Sequence, residues 1–278
     1  MTKGKPRKIL VLGANGMLGS QLVKVFAKEK PIAWTKKDLD ISNQKQVADK
    51  ISKLRPEIII NAAGYTAVDD CEKRADKALA VNGKAVGYLA QTCQKINCTL
   101  VHFSTDYVFN GNKETGYKEN DKTYPVNTYG QSKEYGEKML KKYLKNYYLI
   151  RTSWLFGKNG RNFVDTILEF APKRVEMKVV NDQFGKPTYA LDLATETKEI
   201  IEKQPYGIYH VTNEGITSWY NYAKTICRLR HLPTKIAPVT SYEFPRPAKR
   251  PRYSILVNTK IKKCRHWRLA LKEYLRTN

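Results

Sequence analysis

Cysteine and histidine are scarce in this sequence, and neither forms a recognisable disulfide or metal pattern. The cysteines are odd in number, include no Cys-x-x-Cys pair and lie at positions 71, 93, 98, 227 and 264. The histidines lack the spacing of metal ligands, and we interpret all four, at positions 102, 210, 231 and 266, as packing or surface residues. The sequence therefore predicts free thiols, with neither a disulfide framework nor a zinc site.

A long hydrophobic run and the motifs of two common enzyme classes are also missing. No stretch is long and apolar enough to cross a bilayer. The N-terminus is basic and then apolar, but glycines interrupt the short apolar run and no clear small-residue cleavage site follows. We therefore expect a soluble, cytoplasmic protein without a signal peptide. The absence of a Gly-x-Ser-x-Gly elbow and of a P-loop lysine argues against hydrolases and kinases.

Acidic residues are few, since 26 Asp and Glu stand against 50 Lys and Arg, which gives a net charge of +24. Such a charge can indicate nucleic-acid binding. The basic residues are, however, spread over the whole chain, without a basic block that contains aromatics. We expect a solvated lysine surface that attracts anionic cofactors and substrates, and nucleic-acid binding is the weaker alternative. Hydrophobic residues make up 41% of the chain, which suffices for a packed core.

Apolar segments alternate with amphipathic ones through the first half of the chain. Strands are predicted at residues 8–12, 31–34, 57–61, 99–103 and 147–151, and helices at 17–28, 44–54, 75–96 and 128–143. This alternation predicts an α/β fold, namely a Rossmann-type doubly wound parallel sheet with helices on both faces.

The same pattern suggests two interleaved units. We predict a dinucleotide-binding domain over residues 1–151 and a small C-terminal α/β substrate lobe over residues 152–278. The second half is predicted to contain helices at 191–202, 218–230 and 270–276 and a strand at 207–211. The helix near 190–203 is expected to pack on the first domain.

The first predicted strand runs into Gly13-Ala14-Asn15-Gly16-Met17-Leu18-Gly19, a GxxGxxG loop that opens the first helix. The first glycine permits a tight turn, the second lets a pyrophosphate approach the backbone, and the third lets helix and strand pack closely. N–H groups at the helix start then face the phosphates. The spacing favours a short-chain reductase, and the predicted cofactor contacts in the loop are Gly13, Asn15, Gly16, Met17, Leu18 and Gly19.

Residues after the second predicted strand bear on the choice of cofactor. NAD-specific sites usually place an acid there, whereas this strand runs into Thr35-Lys36-Lys37. Two ammonium groups suit a 2′-phosphate, so we predict NADPH with Lys36 as a ligand. NADH stays possible, because these lysines can equally be ordinary surface residues. The other predicted cofactor contacts follow the second and third strands and are Asp40, Ile41, Ala62, Ala63 and Tyr65.

Tyr129 and Lys133 form a Tyr-x-x-x-Lys pair, whose members share one face of a helix. We expect the ammonium to lower the pKa of the phenol, and the phenol to give its proton to a carbonyl oxygen as hydride reaches the carbon. Tyr220 and Lys224 match the same pattern. Only Tyr129 follows a strand that ends in Ser-Thr-Asp-Tyr, where the Thr105 hydroxyl can orient the same carbonyl. We predict that Thr105, Tyr129 and Lys133 are catalytic, and that the last two also contact the cofactor.

Long segments of the sequence carry a family resemblance. They include LGANGMLGSQL, NAAGYTAVDDCE, STDYVFNG, YGQSKEYGE, RTSWLFG, VVNDQFGKPTY and FPRPAKRPRYSIL. On these segments the chain resembles the dTDP-4-dehydrorhamnose reductases, which are extended short-chain reductases, over nearly its whole length. The resemblance implies NAD(P)H-dependent reduction of the 4-keto group of a nucleotide-linked deoxysugar, with a product such as dTDP-L-rhamnose for cell-surface polysaccharide.

The resemblance also implies a set of substrate contacts. We assign them to Thr66, Val68, Asp106, Tyr107, Trp154, Asn162, Phe163, Gln183 and Arg250. For Trp154, plain core packing is an equal alternative to a place beside the sugar ring. Asn162, Phe163, Gln183 and Arg250 are expected to contact the nucleotide diphosphate.

Two departures from the family pattern and several alternatives stay open. Some family members bind magnesium at a dimer interface through acidic residues, but Gln21 and Ala190-Leu191 stand at those positions. We therefore predict no metal, and either a monomer or a homodimer. The pattern also resembles the regulatory subunit of methionine adenosyltransferase, a cofactor-binding partner protein without reductase turnover. A reductase for a UDP- or GDP-linked keto sugar is the remaining alternative.

Overall fold

Strands and helices alternate through the structure, a computed structural model that describes residues 7–277. The strands are β1 (Ile9–Leu12), β2 (Ile32–Trp34), β3 (Ile58–Asn61), β4 (Thr99–Thr105), β5 (Tyr147–Thr152), β6 (Leu155–Phe156), β7 (Glu176–Val180), β8 (Phe184–Gly185), β9 (Thr188–Tyr189), β10 (Gly207–His210), β11 (Thr217–Ser218), β12 (Lys235–Val239) and β13 (Tyr253–Ser254). The α-helices are α1 (Met17–Val25), α2 (Gln44–Leu54), α3 (Val68–Lys73), α4 (Ala75–Ala78), α5 (Ala85–Ile96), α6 (Thr128–Tyr143), α7 (Phe163–Phe170), α8 (Ala190–Lys203), α9 (Trp219–Leu229) and α10 (Trp267–Arg276). A π-helical segment (Leu79–Lys84) joins α4 to α5. Within residues 7–277, no helix has both the length and the hydrophobicity needed to cross a membrane.

Six strands form the central sheet in the order β10-β5-β4-β3-β1-β2, and every neighbouring pair is parallel. Both faces of the sheet are covered, which is why strands such as β1 and β3 consist almost entirely of buried aliphatic residues. One face packs against α1 and α8, and the other packs against α2, α5 and α6. The predicted doubly wound α/β fold is thus confirmed.

The strand order reverses at β1, because β2 and β3 lie on opposite sides of it. Ligands of open α/β sheets bind in the crevice outside the carboxyl ends of the strands, at such a reversal. Gly13 follows β1 at this edge, Ala62 follows β3 and Asp106 follows β4. The fold therefore places the predicted cofactor loop and the Ser-Thr-Asp-Tyr segment along one crevice.

Helix α6 reaches the same crevice because two of its residues are glycines. A Cβ at Gly130 would overlap the carbonyl oxygen of Tyr107, and a Cβ at Gly136 would overlap that of Asn82. The helix can therefore lie directly against the chain that follows β4 and against the π-helical segment. Its start is fixed by Asn127, whose side-chain oxygen accepts a hydrogen bond from the Gly130 N–H at 2.7 Å.

Residues beyond 151 build a second core and also return to the central sheet. An aromatic cluster that includes Tyr222, Trp267 and Tyr274 fills the space between α7, α9 and α10. The strand predicted at 207–211 lies at the edge of the central sheet as β10 rather than in the lobe, because it pairs in parallel with β5 and buries Tyr209 in the core of the sheet. Helix α8 packs on the same core. The division of the chain at residue 151 stays a prediction.

Candidate active site

The turn between β1 and α1 forms a cradle of backbone groups. Gly13 has a φ of +73°, and a Cβ there would lie 2.8 Å from the Ala63 nitrogen. A Cβ at Gly19 would overlap the carbonyl oxygen of Gly13, so the helix can approach the turn only without it. Gly16 is the N-cap and has no side chain, which leaves the N–H groups of the first turn to an outside acceptor. The cradle therefore fits a dinucleotide pyrophosphate.

The side chains of this loop differ in what they contact. Asn15 is exposed, and Leu18 is buried in the core of the sheet. Met17 lies beside Gly157 and Gly160, where an added Cβ would meet its side chain at 3.1–3.2 Å. Backbone groups, rather than these side chains, therefore make the phosphate cradle.

The chain after β2 carries an exposed lysine and a carboxylate that already accepts a hydrogen bond within the loop. The Lys36 ammonium is largely exposed and lies 3.7 Å from the Asp40 carboxylate. The Ser42 hydroxyl donates to Asp40 at 2.6 Å, and this hydrogen bond lowers the pKa of the carboxyl. Ile41 is buried under the loop. Lys36 therefore pairs with Asp40 at the long end of ion-pair distances, and its contact with a 2′-phosphate stays a prediction.

Asn82 of the π-helical segment holds the loop that follows β3. Its side-chain oxygen accepts from the Tyr65 N–H at 2.8 Å, and its amide donates to the Tyr65 carbonyl at 2.9 Å and to the Ser132 hydroxyl at 3.0 Å. The small side chains of Ala62 and Ala63 lie half-buried next to the glycine turn. The Tyr65 hydroxyl bonds to Asp70, so the ring stays at the rim of the crevice.

Thr105, Asp106, Tyr107 and Tyr129 form one contiguous group at the end of β4. The Thr105 hydroxyl donates to Asp106 Oδ1 at 2.8 Å and accepts from the Tyr107 N–H at 3.2 Å. The Tyr107 and Tyr129 rings meet edge to face, with centroids 5.9 Å apart. Burial raises the pKa of Asp106 to about 7, although the Thr105 and nearby Ser254 hydroxyls oppose the rise, and Oδ2 makes no hydrogen bond of normal geometry among the described residues. That unsatisfied oxygen marks the pocket as one that a polar ligand can complete.

Burial raises the pKa of the Tyr129 phenol above its ordinary value, and the nearby Asp106 carboxyl adds to the rise. A hydrogen bond with the Thr105 side chain acts in the opposite direction but does not reverse it. The predicted net lowering of this pKa is therefore wrong, because burial outweighs the expected effect of Lys133. The phenol stays protonated at neutral pH, which is the form that a proton donor needs.

Lys133 is buried one helical turn after Tyr129, and its ammonium is turned toward β4. Nζ donates to the carbonyl oxygen of Phe103 at 2.5 Å and lies 3.4 Å from Nε2 of His102. Burial lowers the pKa of Lys133 to about 8, although the Glu137 carboxylate raises it. His102, which the sequence pattern left as a packing or surface residue, thus contacts a predicted catalytic side chain.

Glu137 and Arg151 form a buried ion pair beneath the group. The guanidinium donates to both carboxylate oxygens at 2.8 and 2.7 Å, and the Ser104 hydroxyl donates to Glu137 at 2.7 Å. Burial raises the pKa of Glu137, but the hydrogen bonds and charge of Arg151 outweigh it and hold the pKa below the ordinary value. The pair ties α6 to β4 and β5, and so fixes the height of Tyr129 over the sheet.

Three predicted substrate residues pack within the lobe. Trp154, at a φ of +46°, stacks on Trp219 with ring centroids 3.5 Å apart, and its indole N–H donates to the Ser254 hydroxyl at 3.1 Å. Phe163 packs against Trp219 as well. Asn162 caps α7 by accepting from the Asp165 N–H at 3.0 Å, and its amide donates to Gly157 and Asp165. These contacts give each residue a structural role, and the substrate contacts remain predictions.

Arg250 and Asp69 lie together at the mouth of the crevice. Arg250 Nη1 donates to Asp69 Oδ1 at 2.6 Å, and Arg246 bonds to the other carboxylate oxygen. Burial opposes ionisation of Asp69, but the two arginines prevail and lower its pKa to about 2. Burial raises the pKa of the Tyr107 phenol, and the nearby Arg250 guanidinium acts in the opposite direction. The arginine predicted to contact a diphosphate therefore lies close to Tyr107.

The contacts of the remaining predicted substrate residues leave their roles as predictions. Val68 begins α3 and is half-buried, and Thr66 is exposed just before it. Gln183 donates to the Ser241 hydroxyl at 2.8 Å, next to the loop that carries Arg250. Within residues 7–277, no three His, Cys, Asp or Glu side chains are placed to hold a metal ion.

Sequence reasoning missed Asp69, His102 and the Glu137–Arg151 pair. A signal for His102 was present, because alternate residues of a strand face the same side. His102 and Ser104 therefore project together toward α6, where Ser104 meets Glu137. Asp69 lies in a quoted family segment but was not assigned a role there, since its partners are some 180 residues away in sequence.

Comparison with known proteins gives one consistent family. The family model described as "RmlD substrate binding domain" matches residues 7–278. The chain is 43% identical to the spore coat polysaccharide biosynthesis protein SpsK of Bacillus subtilis, over 96% of each chain. It is 38% identical to the dTDP-4-dehydrorhamnose reductase of Burkholderia thailandensis, over 92% of each. The structure is similar to that of dTDP-4-dehydrorhamnose reductase from Bacillus anthracis in complex with NADP, with a TM-score of 0.96 and 37% identity, over 99% of this chain and 100% of that one.

The assignment of individual site residues stays a prediction. These matches, however, span nearly the full length of this chain and of each relative. Their sequence identities are well above those of proteins that share only a fold. The chain therefore belongs to the dTDP-4-dehydrorhamnose reductase family.

Proposed function

We propose that this protein uses NADPH to reduce the 4-keto group of a nucleotide-linked 4-keto-6-deoxysugar, with dTDP-4-dehydrorhamnose as the substrate. The observation that carries the proposal is the group at the end of β4, where the Thr105 side chain hydrogen-bonds to the protonated Tyr129 phenol and Lys133 is buried one helical turn further along α6. The names of the relatives support the choice of sugar, because several full-length relatives are named dTDP-4-dehydrorhamnose reductase.

The residues of the site have separate tasks in this reaction. NADPH supplies the hydride that reaches the carbonyl carbon. Tyr129 gives its proton to the carbonyl oxygen, and the adjacent Thr105 hydroxyl holds that oxygen in line. Lys133 brings a positive charge within one helical turn and stabilises the negative charge that develops on the phenol as the proton leaves.

The surroundings of the site suit an anionic substrate. Arg250 and Arg246 lie at the mouth of the crevice, and the chain carries a net charge of +24. Such a field raises the local concentration of a nucleotide diphosphate. The exposed Lys36 supports NADPH over NADH as the reductant, and a relative from Bacillus anthracis was solved with NADP.

The direct test is turnover of dTDP-4-dehydrorhamnose, followed by the loss of reduced nicotinamide absorbance. Tyr129→Phe should lower kcat by about 10²–10⁴-fold and leave NADPH affinity nearly unchanged. Tyr220→Phe is the matched control, because Tyr220 forms the other Tyr-x-x-x-Lys pair and packs with the aromatic core of the lobe. Equal turnover by wild type and Tyr129→Phe would refute the assignment of the proton donor.

A substrate panel tests the sugar and the base. We expect dTDP-linked 4-keto sugar to be reduced faster than the UDP- and GDP-linked ones, and faster with NADPH than with NADH. No turnover of any keto sugar, together with co-purification of a synthetase, would instead favour a non-catalytic regulatory subunit.

A further inference from the structure

His102 lies between Asn61 and Lys133 in a buried row of polar side chains. Asn61 of β3 and His102 of β4 are direct neighbours in the sheet. Asn61 Nδ2 lies 3.2 Å from His102 Nδ1, and Lys133 Nζ lies 3.4 Å from His102 Nε2. All three residues are almost completely buried, so each must find its hydrogen-bond partners within the row.

The backbone fixes the direction of the first hydrogen bond. The Ala63 N–H donates to Asn61 Oδ1 at 3.2 Å, which identifies that atom as the amide oxygen. The amide nitrogen of Asn61 therefore faces His102, and Nδ1 of the imidazole must accept. A neutral imidazole carries a single ring proton, which must then lie on Nε2. Burial lowers the pKa of His102 well below its ordinary value, so the ring is neutral.

The Nε2–H of His102 points at Lys133, and this contact distinguishes the two forms of the lysine. An ammonium group has only donors and meets the ring N–H as a second donor. A neutral amine has a lone pair and accepts the hydrogen bond. The contact therefore favours the neutral form of Lys133 over its charged form.

We propose that His102 is a positioning residue for Lys133: Asn61 holds it in the Nε2–H tautomer, and this N–H lowers the pH at which Lys133 loses its proton. This inference rests on the proposed reductase function only for its effect on turnover. The tautomer itself is a property of the folded chain.

Other groups around Lys133 act on the same equilibrium. The Phe103 carbonyl accepts from Nζ at 2.5 Å and suits either form. Glu137, one turn further along α6, favours the ammonium, but its charge is shared with Arg151 and with Lys141 at 3.6 Å. Tyr129 on the same helix face is neutral until its proton leaves. His102 is thus the contact that opposes the charge of the lysine from the side of the sheet.

The consequence for turnover has a definite sign. The ammonium form of Lys133 stabilises the phenolate that develops on Tyr129, so activity should fall as the pH rises through the pKa of Lys133. The N–H of His102 favours the neutral amine of Lys133. The pH at which activity falls is therefore lower than it would be if an uncharged hydrogen-bond acceptor stood in place of this N–H. The row Asn61–His102–Lys133 therefore sets the upper pH limit of the reductase.

Nitrogen-15 NMR of the histidine rings tests the tautomer without any turnover. The chain has four histidines, and His102→Gln identifies the signal of interest by its loss. We expect the wild-type His102 signal to show a protonated Nε2 and an unprotonated Nδ1 across the neutral range. A protonated Nδ1 would mean that Nε2 accepts from the ammonium, and would overturn the proposal.

The pH profile of kcat/KM tests the effect on Lys133. In His102→Gln the flexible amide can turn its oxygen toward the ammonium, so the alkaline limb should move up by about one pH unit. In His102→Asn the shorter side chain still offers a partner to Asn61 but does not reach Lys133. The alkaline limb of this variant should therefore move up by less than that of His102→Gln. The control is His266→Gln, since His266 accepts from the Arg268 N–H at 3.2 Å at the start of α10 and packs against Trp267 in the lobe. An unmoved limb in His102→Gln, or an equal shift in the control, would contradict the proposal.

NADPH affinity measured against pH gives a second readout that does not require the sugar. If binding of the cofactor weakens as Lys133 loses its proton, the midpoint should rise in His102→Gln as the kinetic limb does. A wild type that binds NADPH but reduces no keto sugar would defeat the proposed function alone. An Nδ1–H tautomer in an active reductase would defeat this inference alone.

Discussion

The buried pair of Glu137 and Arg151 allows the sharpest prediction of stability. Both side chains are at most 2% exposed, and the guanidinium donates to both oxygens of the carboxylate. In Glu137→Gln the volume stays nearly constant, but Arg151 becomes a buried charge with no counterion at bonding distance. Breaking such a pair on one side costs about 3–5 kcal/mol. For a domain somewhat larger than 250 residues, this corresponds to a Tm that is lower by roughly 10 °C.

Equilibrium unfolding in urea at pH 7 measures this loss. Glu176→Gln is the matched control, because Glu176 pairs with Lys235 at 2.7 Å on the surface, where solvent screens the pair, and its loss should leave the free energy of unfolding nearly unchanged. The pKa of Glu137 is lower in the folded than in the unfolded chain, so its contribution is present above the unfolded pKa and is lost as the pH falls through the folded one. The difference between wild type and Glu137→Gln should therefore shrink in acid. A Glu137→Gln protein within 1 kcal/mol of wild type at pH 7 would show that water or a rearranged partner neutralises Arg151.

Three further predictions follow from the crevice. Gly19→Ala should abolish NADPH binding measured by fluorescence, because its Cβ would overlap the Gly13 carbonyl, whereas Gly87→Ala, which meets only the flexible Met139 side chain at 3.3 Å, should bind normally. Folding raises the pKa of Asp106 to about 7. The wild type should therefore lose stability relative to Asp106→Asn as the pH rises from about 4 to about 7. A difference in the free energy of unfolding that stays constant over this range, measured in urea, would contradict the burial of that carboxyl. Lys36→Ala should weaken NADPH by several-fold and leave NADH unchanged, as measured by the two dissociation constants, and an equal loss for both would remove Lys36 from the 2′-phosphate.

The central sheet could be predicted because its strands are apolar and regularly spaced, and because the segments between them repeat their apolar residues with the period of an α-helix. The helix over Gln44–Leu54 and the helix over Thr128–Tyr143 have the predicted ends. The lobe was predicted less well. Five of its strands are only two residues long, too short for an alternating pattern, and they form because neighbouring chain segments are already in place. The placement of β10 was missed because a short strand next to a helix reads the same in either unit.

In the candidate site, spacing along one helix was sufficient to place Tyr129 and Lys133 on one face. The spacing was not sufficient to predict whether these groups are charged. The pKa of the Tyr129 phenol depends on its burial and on Asp106, which follows β4 rather than lying on the same helix. The partner of Lys133 likewise comes from a strand some 30 residues earlier in the chain. Local patterns fix which side chains share a surface, whereas the electrostatics of a buried group depend on every element packed around it.

Arg250 shows how these two kinds of information combine. The resemblance predicts Arg250 as a diphosphate contact, whereas the structure pairs it with the opposite charge of Asp69. A count of donors removes the conflict. A guanidinium has five N–H groups. The two on Nη1 donate to Asp69 and to the Ala248 carbonyl. Three donors on Nε and Nη2 remain for an incoming phosphate, so Asp69 orients the arginine without excluding an anion. Asp69→Asn should therefore raise KM for the nucleotide sugar, through a misplaced Arg250, rather than lower it by releasing a sequestered charge.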